Sequence, residues 1–461
     1  MKKLSMALAI GALVLSVAGA SFAADLEVNI YGASAQGDFW GALAPVYLNA
    51  AGGANCTGGA AVCATFTPTD NAPAGVYYHG AKYIACEAQG PCTVGPVAAA
   101  DKFRIRVTAY DSDDGVLSVL GHANPSAVDV MQCPTAVGLN YRTMLKDVSA
   151  AACGNLACYP VTLGASDVNG STIIQSTEGQ LDGPAGPASV TQGKALVNPG
   201  CTAGAVIPID LGDFSATPPT VKTCGTGILV DHHPFIVPFA FFANKQAFVG
   251  DVGNLLQANL TNITKTMVQE IFSGAVTDWH TYFPAIPAGS TITTCMRVAG
   301  SGTMATFQAA VMDSNKTGPA LPNLDNSILG NNAWFNNTSG DMVNCIATVP
   351  GSIGFVDPDK ALAGNEYGPI TYNGVAATAA NIKNGTYDSF WTLEHLFEPV
   401  AKYVGYPPAA VITSLTGYCD NNIPPAKAAT WTLSNGMTFH KTGDFVTPPQ
   451  LGAYVEGTCY E

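Results

Sequence analysis

The chain has 461 residues, a formal net charge of −14 and only 11% charged residues, against about 25% in ordinary soluble proteins. So acidic a balance argues against nucleic acid as a partner, because phosphate backbones are gripped by clustered Lys and Arg. Forty-nine glycines and 30 prolines imply many turns, and 13 cysteines fit an oxidising compartment.

The first residues are MKK, an apolar run over 4–18, and Ser21-Phe22-Ala23. This reads as a secretory signal peptide (1–23) cleaved after Ala23, since the run is too short to span a membrane. With Cys56 as the first cysteine, no lipid anchor is expected there. The mature protein is expected to be soluble and either periplasmic or secreted. Its 17 basic and 33 acidic residues leave it still more acidic, and about 440 residues suffice for two or three domains.

Residues 26–31 (LEVNIY) read as a strand ending in the turn Gly32-Ala33-Ser34-Ala35, followed by a helix-like stretch over 39–48. Residues 52–100 are rich in Gly, Ala and Cys with little periodicity, and read as a stapled insertion. Alternation over 103–109 (FRIRVTA) predicts a strand running into Tyr110-Asp111-Ser112-Asp113-Asp114-Gly115-Val116 and then a helix. A short strand is expected over 160–163, ending at Gly164-Ala165-Ser166-Asp167, and 168–227 is again loop-like. The run 235–243 (FIVPFAFFA) has strand propensity. Residues 264–272 look helical with Thr264 as N-cap. Strands are expected over 291–297 and 352–356. This alternation favours an α/β fold with mixed, mostly parallel sheets and disulfide-stapled loop insertions.

No C-x-x-C-H or C-x-x-C occurs, so covalent haem is not indicated. The spacings Cys56/Cys63, Cys86/Cys92 and Cys153/Cys158 suit local disulfides, and Cys201/Cys224, Cys295/Cys345 and Cys419/Cys459 are the next pairings, leaving Cys133 over. Spacing alone does not fix the connectivity.

Four of these strands end in turns rich in small hydroxyl residues. In open α/β sheets ligands bind beyond the carboxyl ends of strands. The stretch CMRVAGSGTMATFQAAV (295–311) is chemically suited to a small tetrahedral anion. Gly300 and Gly302 let backbone amides approach, Ser301 and Thr303 add hydroxyls, and Arg297 offers a planar fork at a helix start. The bland alternative is a glycine turn capping a helix with Arg297 on the surface.

Arg297-x-x-Gly300-Ser301-Gly302-Thr303 resembles the phosphate loop of the periplasmic phosphate-binding proteins of bacterial ABC transporters. LGASD (163–167), FIVPFAFFAN (235–244), VQEIFSGAVTDWH (268–280), VPGSIGFVD (349–357) and NGVAATAANIKNGTYDSFW (373–391) are similar to that family's segments, in its order. The resemblance implies a two-lobed periplasmic-binding-protein fold of type 2. Lobe I would comprise 24–238 plus 386–461, with insertions near 52–100 and 168–227, and lobe II 239–385. It implies that Arg297 pairs with the anion and that Ser301, Gly302 and Thr303 donate to it. Ser34 and Ala35 would lie in the first turn, and Ser112 in the family's serine position.

Asp167 would be the family's buried aspartate. A carboxylate beside an anion is tolerable when the ligand brings a proton to share, which monohydrogen phosphate does and sulfate does not. Two departures stand out. Gln36-Gly37 replaces a Thr-Phe, with the Gln36 amide as a substitute donor. Asp113 and Asp114 stand where glycine and serine are expected, and two carboxylates beside a dianion cost several kcal/mol unless turned away or paired. Calcium would relieve that conflict, but Asp111-x-Asp113-Asp114-Gly lacks EF-hand spacing.

Asp231-His232-His233 invites a metal reading. Adjacent strand residues face opposite ways, so the pair reads as a solvated loop and no metal or cofactor is expected. Trp279, Trp334 and Trp391 read as core. The last 60 residues read as irregular. The function expected is a non-catalytic, monomeric binding protein that captures phosphate or a similar oxyanion for an ABC transporter permease. The alternative is a secreted structural or adhesive protein that keeps the fold without ligand, while a phosphate-ester hydrolase lacks a visible nucleophile, base or metal set.

Overall fold

In the computed structural model the described residues are 25–67, 81–94, 97–100, 102–121, 133, 138–169, 228–246, 253–297, 301–313, 333–336, 338–360, 362, 364, 366–368, 370–387, 389–441 and 450–451. The signal-peptide reading of 1–23, the loop reading of 170–227, and Cys201, Cys224 and Cys459 lie outside them.

The chain begins with β1 (Leu26–Ala33), β2 (Val62–Phe66) and β3 (Lys82–Glu87), then a small hairpin of β4 (Cys92–Val94) and β5 (Val97–Ala100). After β6 (Phe103–Tyr110) a second hairpin, β7 (Tyr141–Leu145) and β8 (Leu156–Pro160), leads to β9 (Leu163–Ser166). Next come β10 (Leu229–His232), β11 (Phe235–Pro238), β12 (Ala240–Ala243) and β13 (Asn262–Ile263), then β14 (Thr293–Arg297), β15 (Ala333–Asn336) and β16 (Ser352–Val356). Short strands β17 (Thr371–Tyr372), β18 (Trp391–Leu393), β19 (His395–Pro399) and β20 (Thr432–Leu433) follow.

A seven-stranded sheet runs β10-β19-β9-β1-β6-β3-β2, and a four-stranded sheet runs β12-β16-β14-β15. Between them lies the three-stranded β18-β11-β20. The chain passes from the first of these sheets to the second through β11, between β10 and β12. Parallel pairs occupy the centre of the larger sheet, β1 with β6 and β9, while in the smaller one β14 pairs in parallel with β16 and with the edge strand β15. Antiparallel strands are added at the flanks.

β1 is buried on both faces, as a central parallel strand must be. Val28 and Ile30 pack with Phe39, Trp40 and Leu43 of the helix Gly37–Asn49. Tyr31 packs on the opposite face with Val116, Leu117 and Val119 of the helix Ser112–Leu120. That second helix crosses the sheet closely. A Cβ on Gly115 would stand 2.3 Å from the Ala165 carbonyl oxygen, and one on Gly32, at φ +142, only 1.9 Å from the same atom. Glycine is demanded at both positions by backbone proximity. Around the four-stranded sheet, Phe241, Phe272, Phe307, Phe355 and Phe390 form a ring-on-ring core, with Phe307 stacked on Phe355 at 4.2 Å.

Several expectations need correction. Residues 52–100 are not only a stapled insertion, because β2 and β3 extend the main sheet beyond β6. The antiparallel register places Cys63 opposite Cys86 and Cys56 opposite Cys92. The bonds are therefore Cys63–Cys86 and Cys56–Cys92, not the short-range pairs. Cys133 pairs with Cys158, Cys295 with Cys345 as expected, and Cys419 is a buried free thiol.

The strand expected over 160–163 lies instead at Leu163–Ser166, so the turn begins three residues later, at Asp167. The run 235–243 breaks at Phe239 into β11 and β12, where the chain passes from one sheet to another. The C-terminal segment is not irregular throughout. A helix, Ala409–Cys419, and β20 dock onto the core, with Trp431 against Phe39 and Phe235. Trp279 and Trp391 are core residues, and the Trp334 side chain lies outside the described set.

Asp114 forms a buried pair with Arg142, whose Nε donates at 3.0 Å to each carboxylate oxygen and whose Nη2 donates at 2.6 Å. Removing one member strands a charge in the interior. Arg142→Met should lower unfolding stability by about 3–5 kcal/mol in urea titrations with an unchanged m-value. A loss below 1 kcal/mol would refute the stranding argument.

Candidate functional site

Five strand ends converge on one locus, joined by hydrogen bonds among Ser34, Ser112, Asp167, Arg297, Thr303 and Ser339. Ser34 follows the end of β1, Asp111-Ser112 that of β6 and Asp167 that of β9, while β14 ends at Arg297 and β15 at Asn336 before Thr338-Ser339. Three helices start at this convergence, each with a side-chain cap. Asp111 accepts from the Ser112 amide, Ser301 from Met304, and Thr338 from Asp341. Capping oxygens satisfy some first-turn amides and leave the positive helix ends aimed inward.

Asp167 is the hub. Its Oδ1 accepts from the Gln36 side-chain amide and its Oδ2 from the Thr303 hydroxyl, both at 3.0 Å. The Trp40 indole N–H donates to Gln36 Oε1 at 3.3 Å, which fixes that amide's orientation. The Asp167 amide donates to Ser112 Oγ at 3.3 Å. A Cβ on Gly302 would lie 2.4 Å from Ser112 Oγ and 2.8 Å from Asp167 Cβ. Gly302 thus lets the β14 loop touch the β6 and β9 ends. Gln36 does supply the amide donor expected of it, although to Asp167.

Arg297 is fully buried. Its Nε donates to the Asn336 carbonyl at 3.1 Å and its Nη1 to Ser339 Oγ at 3.3 Å. Ser34 and Ser339 exchange a hydroxyl hydrogen bond at 3.1 Å, and the Ser339 amide donates to Ser34 Oγ at 3.2 Å. Ala35 is buried in the same turn and has only its backbone to offer. Ser301 Oγ accepts from its own helix and keeps its hydroxyl hydrogen to donate. Of the loop's glycines, Gly300 lies outside the described residues.

All eight candidate residues therefore gather around one locus: Ser34, Ala35, Ser112, Asp167, Arg297, Ser301, Gly302 and Thr303. Ser339 was missed, although Asn337-Thr338-Ser339 reads as a helix start. Asp111 was read only as part of an acidic run.

Charge is concentrated here. Burial pulls the Arg297 guanidinium below its usual range, opposed by Asp111, Asp167, Asp341 and Asp357 in that order. Burial likewise raises Asp167, against the hydrogen bonds from Gln36 and Thr303 and then the charge of Arg297. Asp111 is pushed up to about 8, chiefly by burial, which outweighs the nearby Arg297. Asp113 is raised well above the carboxylate range by burial, then by Asp111 and Asp114. The acidic pair therefore does not confront the locus as two carboxylates. Asp114 is neutralised by Arg142, and Asp113 turns its Oδ1 to the Asp114 amide at 2.6 Å and favours its protonated form.

Asp38 and Lys360, 322 residues apart, join at 2.7 Å, with Lys82 also on Asp38. Burial favours the protonated carboxyl, but Lys360 and then Lys82 prevail and hold Asp38 below its usual range.

Residues 231–413 match the family model described as a PBP superfamily domain. No curated protein matches the chain by sequence. Among solved structures, a phosphate-binding protein from Stenotrophomonas maltophilia aligns at 12% identity and a TM-score of 0.40, covering 85% of this chain and 82% of its own. A substrate-binding protein from Clostridium perfringens, solved with bound phosphate, aligns at 15% identity and 0.31, covering 41% and 65%. An ABC-type phosphate transport receptor from Vibrio cholerae aligns at 15% and 0.30, covering 43% and 69%. The chain thus spans just under two thirds of the Clostridium protein. Residues 231–413 thus carry a PBP-type domain.

A pH dependence follows from Asp111. Its raised value means that the folded state holds the proton more tightly, so the stability it contributes is complete below about pH 4 and is lost as pH rises through about 8. Asp111→Asn should flatten the decline of unfolding stability between pH 4 and 8 by up to about 1.4 kcal/mol per pH unit, measured from urea midpoints. A slope equal to wild type would contradict it.

Proposed function

We propose that this protein is a binding protein that captures a small oxyanion, most plainly monohydrogen phosphate, between its lobes and delivers it to an ABC transporter permease. Lobe I would be 24–238 with 386–461 and lobe II 239–385, acting as a monomer in the periplasm or outside the cell. The single observation that supports this most is the buried Arg297 guanidinium, which sits with the Ser301–Thr303 helix start against Asp167 and Ser112. Preorganised donors in a dry cleft replace water around the anion without needing a positive net charge.

Asp167 has a specific part to play. Each of its oxygens already accepts one hydrogen bond, and each keeps a lone pair. A ligand that brings a proton completes that set, whereas a fully ionised sulfate meets bare repulsion. Asp113 and Asp114 do not stand against this reading, since one favours its neutral form and the other is paired with Arg142.

Isothermal titration with phosphate, arsenate and sulfate tests the reading. Phosphate should bind, and Arg297→Ala should abolish the heat. Absence of heat with any oxyanion would leave the ligand-free secreted scaffold as the reading. Asp167→Asn should bring phosphate and sulfate affinities together while circular dichroism stays native. Wild-type selectivity in that variant would defeat the proton-sharing argument.

A further inference from the structure

The carboxylate of Asp231 stands apart from the oxyanion locus and faces two imidazoles. Its Oδ2 lies 2.8 Å from His395 Nδ1 and 3.0 Å from His233 Nε2. The three donor atoms all lie within 4.8 Å of one another. Asp231 and His233 are two residues apart on one extended segment and so share a face. His232 between them turns the other way, to Glu398 at 3.2 Å. The expectation of a solvated His232-His233 pair fails for His233, which is buried with 3% of its surface exposed. The alternation argument was sound, but the second imidazole comes from another strand. His395 is fully buried at the start of β19, where β10 and β9 pair on either side of it.

We propose that Asp231, His233 and His395 bind one divalent transition-metal ion, with zinc the best match. Two imidazoles and a carboxylate form a ligand set suited to zinc, with the remaining position open to water or a further oxygen. Zinc–ligand bonds of about 2.0–2.2 Å put tetrahedral neighbours about 3.3–3.5 Å apart. The separations from Oδ2 fall a few tenths of an ångström short of that, so a small withdrawal of the carboxylate accommodates the ion. A second observation points the same way. Asp231 Oδ1 is buried and has no hydrogen-bond partner among the described residues, a condition buried polar atoms rarely tolerate. Bidentate ligation would satisfy it.

The placement gives the ion a structural consequence. Both ligating segments lead directly into joint strands, β10 into β11 and, in reverse, β19 into β18. An ion there clamps the lobe I roots of both. His395 pairs in register with Ser166, the residue before Asp167. The clamp therefore lies one residue from the hub of the anion locus, though it does not depend on that locus binding anything.

The test uses the untagged full-length protein, stripped with chelator and dialysed against micromolar Zn²⁺. Elemental analysis should find one zinc per chain, with the same result for His232→Gln. His233→Gln and His395→Gln should weaken binding by more than about 100-fold, beyond the 10–100-fold typical of outer-shell changes. Co²⁺ in unmodified protein reads the coordination without any variant, and intense visible bands of a four-coordinate ion are expected. Zinc content no higher than in a chelator-treated control overturns the proposal. So does equal retention by the folded His233 and His395 variants, or a cobalt spectrum showing only the hydrated ion.

Discussion

A guanidinium sealed from water governs this molecule. Arg297 sits at the end of β14 with no exposed surface to speak of, and leaving such a charge unsupported would cost several kcal/mol. Support comes from a backbone carbonyl, a serine hydroxyl and four acidic side chains from both lobes, namely Asp111, Asp167, Asp341 and Asp357. That gathering explains why several strand ends point to one place. The acids cannot all ionise so close together in a medium of low dielectric, and the rise of Asp111 and Asp167 is the expected response.

Segments distant in the chain are tied at the locus by chemically varied links. Ser34 and Ser339 join through hydroxyls, Thr303 reaches Asp167, and Lys360 reaches Asp38. The Lys360–Asp38 pair lies partly open to water, where such pairs contribute modestly.

Much of this was legible in the sequence because the signals were local. FRIRVTA alternates and is a strand, Thr264 caps its helix, and the Gly-Ser-Gly-Thr turn starts a helix. What escaped depended on partners remote in the chain. No spacing rule links Asp231 to His395, or Cys133 to Cys158. The pairing of Cys63 with Cys86 follows from a hairpin register that opposes them, whereas nearness in sequence favoured other partners. Arg142, which neutralises Asp114, gave no hint of that role in the run YRTML. The C-terminal helix was visible in principle: Val411, Ile412, Leu415 and Cys419 follow a helical period after Pro407-Pro408.

The edge hairpin has one more consequence. β2 is the outermost strand of the seven, largely open to solvent, and such margins invite sliding or pairing with a stray strand. Slipping by a single residue would swap its inward and outward faces. With Cys63 bonded to Cys86 across the ladder, that shift is forbidden, so this margin stays in phase even when heated. Peeling is left to the opposite margin at β10, where Val230 is 43% exposed and no covalent rung crosses to β19.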